Sequence, residues 1–135
     1  MILLDANIFM YAAGKDHPCK HPSVQLLRKI VSDNMDAAVD VEVLQEILHR
    51  YRAIDRWEDG CKVFEFVRQV VPQVLPVTDE IMQDTYHLMH QYPMLTARDA
   101  LHAAVYRTYN AIVFCSYDTD FDVITNLNRC EPGDL

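Results

Sequence analysis

Glycine is scarce in this chain of 135 residues, present only as Gly14, Gly60 and Gly133. Three so widely spaced cannot compose a GxGxxG turn, a Walker phosphate loop or a GxSxG nucleophile elbow. Most nucleotide-cofactor enzymes and serine hydrolases are thereby excluded. No CxxC pair exists either, since Cys19, Cys61, Cys115 and Cys130 are scattered, which removes the common zinc and dithiol frameworks. Free thiols in a reducing compartment are the expectation. Eighteen apolar residues never follow one another, so no membrane span is expected. The opening Met1-Ile2-Leu3-Leu4-Asp5 has no basic lead-in, so no signal peptide is expected and a cytoplasmic location is. Positive charge is in the minority, with 12 Lys and Arg against 20 Asp and Glu and a net charge of −8. Such a surface repels phosphate and argues against a non-specific nucleic-acid coat, though not against an enzyme whose acids hold metal ions.

What is present fits one globular domain spanning 1–135, half of it hydrophobic. Four short apolar runs have strand length: Ile2–Leu4, Ala37–Val39, Val74–Val77 and Ile112–Cys115. Their continuous apolarity predicts strands covered on both faces. Helical spacing marks Ser23–Val31, Val41–Tyr51, a segment after Arg56, Asp79–Gln91 and Ala97–Tyr109, with a short helix over Asn7–Ala12. The alternation predicts an α/β fold, three layers deep, with a mostly parallel central sheet. Lys15–Pro22 reads as a loop, and Glu131–Leu135 as an unstructured end.

Ligand sites of open α/β sheets form beyond the carboxyl ends of the strands. Asp5 follows the first apolar run and Asp118 follows the last, with Asp120 and Asp122 behind it. Glu46 lies in the helix after the second run, and Asp99 opens the helix before the fourth. Four acids from distant segments therefore converge on one edge, where mutual repulsion calls for a hard divalent cation. Mg²⁺ or Mn²⁺ held this way activates water and offsets charge on a phosphoryl oxygen, which is the chemistry of phosphodiester hydrolysis. Each acid also has a structural reading: Thr96-x-x-Asp99 is a capping box, Asp5 and Asn7 suit a helix start, Glu46 suits a solvated helix face, and Asp118 to Asp122 suit a turn.

Four blocks in order resemble the motifs of the PIN domain, and within it the VapC-type toxin ribonucleases. They are Ile2-Leu3-Leu4-Asp5-Ala6-Asn7, Val43-Leu44-Gln45-Glu46-Ile47, Arg98-Asp99-Ala100-Leu101-His102-Ala103-Ala104 and Ser116-Tyr117-Asp118-Thr119-Asp120-Phe121-Asp122. The resemblance implies a Mg²⁺ or Mn²⁺ endoribonuclease leaving 5′-phosphate and 3′-hydroxyl ends, homodimers, and inhibition by a VapB-like antitoxin. It implies metal ligation by Asp5, Glu46, Asp99 and Asp118, with Asp120 beside the last and Asp122 the most remote of the three. It gives Asn7 and Ser116 supporting hydrogen bonds to ligands or waters. The alternative is a catalytically silent PIN module that binds RNA or protein.

Among the remaining side chains, Arg98 beside Asp99 is the foremost phosphate contact, and Arg50, Arg52, Arg56 and Lys62 read as solvated surface. His17-Pro18-Cys19-Lys20-His21 holds zinc-ligand types without a second pair to complete a tetrahedron. His102, one turn after Asp99, reads as a helix-face histidine with ordinary hydrogen bonds, the alternative being a substrate contact or the orienting of a carboxylate, and His87 and His90 read as surface residues. Tyr11 and Tyr51 suit either core or an interface groove. A phosphorylated receiver lacks its second acid and late lysine here, and a dehalogenase-type phosphatase would need an acid where Asn7 stands.

Overall fold

A computed structural model describes residues 1–135. Its elements run β1 (Ile2–Leu4), α1 (Ala6–Ala13), α2 (Lys20–Ser32), β2 (Ala37–Asp40), α3 (Val41–Ala53), α4 (Trp57–Val70), β3 (Val74–Leu75), α5 (Asp79–Gln91), α6 (Ala97–Thr108), β4 (Val113–Cys115) and β5 (Arg129–Cys130). The five strands form one sheet in the order β3-β2-β1-β4-β5, and all four pairings are parallel. The α/β expectation therefore holds.

Side chains of a strand alternate between its faces, and the two cores divide accordingly. Ile2, Leu4, Ala37, Val39 and Cys115 pack with α1, α2, α3 and α4. Leu3, Ala38, Leu75 and Phe114 pack with α5 and α6 on the opposite face. Both faces are covered, which is why the strands read as unbroken apolar runs.

Four of the helices begin on a side-chain cap. Asp5 accepts from Ala6 N, Asp40 from Val43 N, Thr78 from Ile81 N and Thr96 from Asp99 N. Three helices end with Asn34, Asp55 and Asn110 in the left-handed region, at φ 50°, 57° and 53°. Met35, Arg56 and Ala111 then donate back across six residues to Ile30 O, Tyr51 O and Tyr106 O. Asn and Asp thus fill the place usually given to glycine, consistent with the glycine shortage.

Several boundaries differ from the sequence expectation. α2 starts at Lys20, inside the expected loop, because Pro22 in a first helical turn sacrifices no hydrogen bond. Pro76 ends β3 two residues early, and Ile112 stays outside β4 with 64% of its surface exposed. β5 is two residues long with no apolar run, so periodicity gave no sign of it. The tail is ordered: Pro132–Asp134 forms a 3-10 turn closed by a Glu131/Asp134 capping box, and Pro132 is buried.

Candidate active site

The sheet order reverses between β1 and β4, where a crevice opens beyond the carboxyl ends of the strands. Asp5 leaves β1 at this point and is 6% exposed. Its Oδ1 accepts from Ala6 N at 2.7 Å, while Oδ2 accepts from Ser116 Oγ at 2.5 Å and Asn7 Nδ2 at 3.0 Å. Ser116 also accepts from Asn7 Nδ2 at 3.1 Å and from Asp118 N at 3.0 Å. Asn7 and Ser116 therefore hold the Asp5 carboxylate and link the end of β1 to the turn after β4. Burial pushes the Asp5 carboxyl up to about 6, against the lowering influence of His102 and of the Ser116 hydrogen bond.

The other acids fall into two groups. Asp5, Glu46 and His102 each offer an atom within 4.8 Å of the other two. Asp99, Asp118 and Asp120 form a second such group. Half-burial raises the Asp99 carboxyl, opposed by a hydrogen bond with Thr96, and the charges of Asp118 and Asp120 raise it further. Thr96 caps α6 through Asp99 N at 3.2 Å, so Asp99 lies in the capping turn and in the acid group at once. Asp118 itself caps a short 3-10 turn over Thr119–Val123, accepting from Asp120 N at 2.9 Å. Asp122 turns away into an ion pair with Arg129 Nε at 2.6 Å.

Arg98 is not free. Its guanidinium lies 3.4 Å from both Glu42 Oε1 and Glu46 Oε1, with 40% of the side chain exposed. Sequence reading missed the group beneath it. His102 is 1% exposed and Asp40 0%, and His102 Nδ1 lies 2.6 Å from Asp40 Oδ2. On the other side of the ring, Nε2 is 3.9 Å from Glu46 Oε2, and both atoms are buried without a hydrogen-bond partner. Burial pushes the imidazole pKa down, but the charge and hydrogen bond of Asp40, then Glu46 and Asp5, leave it well above 6.5. The sequence did carry a sign of this pair. Asp40 ends an apolar run just as Asp5 does, and His102 interrupts the apolar face of Ala100-Leu101-x-Ala103-Ala104.

His17, Cys19 and His21 do not come together as a ligand group; His17 Nδ1 accepts from Cys19 N, and its ring packs against Tyr11 at 4.6 Å. All four cysteines are free, and burial drives the Cys115 thiol far above its ordinary value. No helix is long and apolar enough to cross a membrane.

The site has the composition of a cation site: carboxylates from α3, α6 and the strand ends, with Glu46 Oε2 and His102 Nε2 buried and unpartnered. The PIN domain family model matches residues 2–127. The chain is 39% identical over 129 residues to VapC ribonuclease Mb1869c of Mycobacterium bovis and to Ribonuclease VapC13 of Mycobacterium tuberculosis, covering 96% of this chain and 98% of each relative. Among solved structures, VapBC2 from Rickettsia felis, bound to a DNA fragment from their promoter, is similar at a TM-score of 0.74. That likeness covers 97% of this chain and 98% of the other at 19% identity, and speaks for the fold.

Proposed function

The chain belongs to the PIN domain family, and from that premise we propose that it is an endoribonuclease toxin, dependent on Mg²⁺ or Mn²⁺ and held in check by a VapB-like antitoxin. The observation that carries this reading is the clustering of Asp5 with Glu46 in one group and of Asp99, Asp118 and Asp120 in another, with Glu46 Oε2 buried and unpartnered. Carboxylates crowded this way raise one another's pKa and remain ionised together only with a counter-charge. Asp5 with Glu46, and Asp99 with Asp118, are the residues that would hold one or two cations. A divalent cation supplies Lewis acidity toward a phosphoryl oxygen and acidifies water.

The chain's own groups do the rest. Asn7 and Ser116 fix the Asp5 carboxylate by donating to its Oδ2. Asp120, the member of its group not assigned to a cation, takes the proton of the attacking water. The new bond joins that water's oxygen to phosphorus, the P–O3′ bond breaks, and the leaving O3′ takes a proton from a solvent water, giving a 5′-phosphate and a 3′-hydroxyl. Arg98 bridges Glu42 and Glu46 at the rim, and its exposed edge is where a backbone phosphate of RNA would meet positive charge.

An antitoxin helix has an apolar surface on which to seat. A groove of about 480 Å³ lies between α2 and α4, lined by Val24, Leu27, Val31, Phe66 and Val70. Val31 is 61% exposed there. An amphipathic helix with apolar anchors at helical spacing would seat in such a groove. The activity is tested by incubating the protein with cellular RNA and Mn²⁺, with EDTA as control, and mapping the ends produced. The reading requires cation-dependent products bearing 5′-phosphates; cyclic phosphates, or cleavage that persists in EDTA, would contradict it.

A further inference from the structure

The pairing of His102 with Asp40 has a consequence for the cation. A carboxylate only accepts hydrogen bonds, so the 2.6 Å contact to Asp40 Oδ2 places a proton on Nδ1. Asp40 is itself immobile, since its Oδ1 accepts from Val43 N at 3.0 Å and no part of it reaches solvent. The ring orientation is thus fixed, and Nε2 points at Glu46 and Asp5.

Nothing in the protein satisfies it there. The 3.9 Å to Glu46 Oε2 is too long for a hydrogen bond, and Glu46 Oε2 is likewise orphaned. Donor atoms about 2.1 Å from a common ion lie roughly 3 to 4 Å apart, and the 3.9 Å between Nε2 and Oε2 falls in that range. A carboxylate donating no proton but holding a ligand histidine by its far nitrogen is the usual support of metal-bound imidazole.

We propose that His102 Nε2 is itself a metal ligand, completing with Asp5 and Glu46 a site of two carboxylates and one imidazole that takes Mn²⁺ and similar transition-metal ions in preference to Mg²⁺. The inference rests on the nuclease reading for the presence of a cation but adds a nitrogen to its shell. Imidazole nitrogen suits the later first-row metals, whereas Mg²⁺ keeps to oxygen. On binding, Nε2 gives up any proton it holds to solvent. Asp40 and His102 are then one device that sets which ion the enzyme uses.

Electron spin-echo spectroscopy of the Mn²⁺-loaded full chain, without RNA, tests this. A ¹⁴N coupling of directly bound imidazole is expected in the wild type. The other five histidines, His17, His21, His49, His87 and His90, are all exposed. Their joint replacement by Gln should leave the coupling intact, which keeps the assignment secure even if His102→Gln fails to fold. Where His102→Gln folds, the coupling should vanish, and Mn²⁺ affinity should fall about tenfold while Mg²⁺ affinity changes less than about twofold. Mn²⁺ bound with no nitrogen coupling would overturn the proposal and leave the nuclease reading standing. No Mn²⁺ bound at all would overturn both.

Discussion

At the scale of single residues, Asp5 shows how the site works against the fold that carries it. Its carboxyl moves from 3.8 to about 6 on folding, chiefly through burial. Below 3.8 it is neutral in both states and costs nothing. Between 3.8 and about 6 the unfolded chain ionises while the folded, ion-free protein holds Asp5 neutral, so stability falls, by roughly 3 kcal/mol once pH has passed 6. Asp5→Asn removes that cost. In EDTA, urea unfolding should therefore show the variant gaining on the wild type between about pH 3.5 and 6.5, by up to about 3 kcal/mol, and levelling off above that. A gap that does not change with pH would show that Asp5 is not held against its charge. Asp5 was legible because an acid closing an apolar run is a strong pattern. Asp40 carries the same pattern, but its function depends on His102, which is 62 positions distant and meets it only in the folded chain. A pairing across such a distance has no local signature.

The helices and the apolar strands β1 to β4 were legible, and the two-residue β5 was not. α3, α5 and α6 carry a regular apolar stripe and side-chain caps, so both periodicity and chemistry mark them. β5 has two residues and exists because β4 offers it a free edge, with Phe114 opposite Arg129 and Cys115 opposite Cys130. The same limit hid the packing role of Gly60 in α4. A Cβ there would lie 2.5 Å from Tyr51 Cβ, so α3 and α4 approach too closely for any side chain. Ala is the better helix former by about 1 kcal/mol, yet overpacking two rigid helices typically costs about 1 to 3 kcal/mol. Gly60→Ala should accordingly lower the urea midpoint. An unchanged or raised midpoint would mean that the two helices separate freely.

For the whole molecule, the parallel sheet and the acidic charge act together. The strand order β3-β2-β1-β4-β5 brings segments from both ends of the chain to one edge, so residues as far apart as Asp5 and Ser116 touch. The fold class was legible because strands covered on both faces leave unbroken apolar runs. The division of the acids into two groups was not, since it depends on where α3 and α6 enter the edge. With a net charge of −8, RNA must be captured by the cation and a few basic side chains. Arg98→Ala should weaken RNA binding and reduce its salt slope by about one. An unchanged slope would remove Arg98 from the RNA path.

The central claim is that the carboxyl-edge acids, rather than acidity in general, cut RNA. Cleavage rates in Mn²⁺ for the wild type, Asp5→Asn and Asp122→Asn test it most directly. Asp122 neighbours the site in sequence but is paired with Arg129, so its loss should change the rate by less than about twofold. Asp5→Asn should lower it by on the order of a hundredfold or more with the fold retained. An Asp5→Asn protein that cleaves as fast as the wild type would contradict the account.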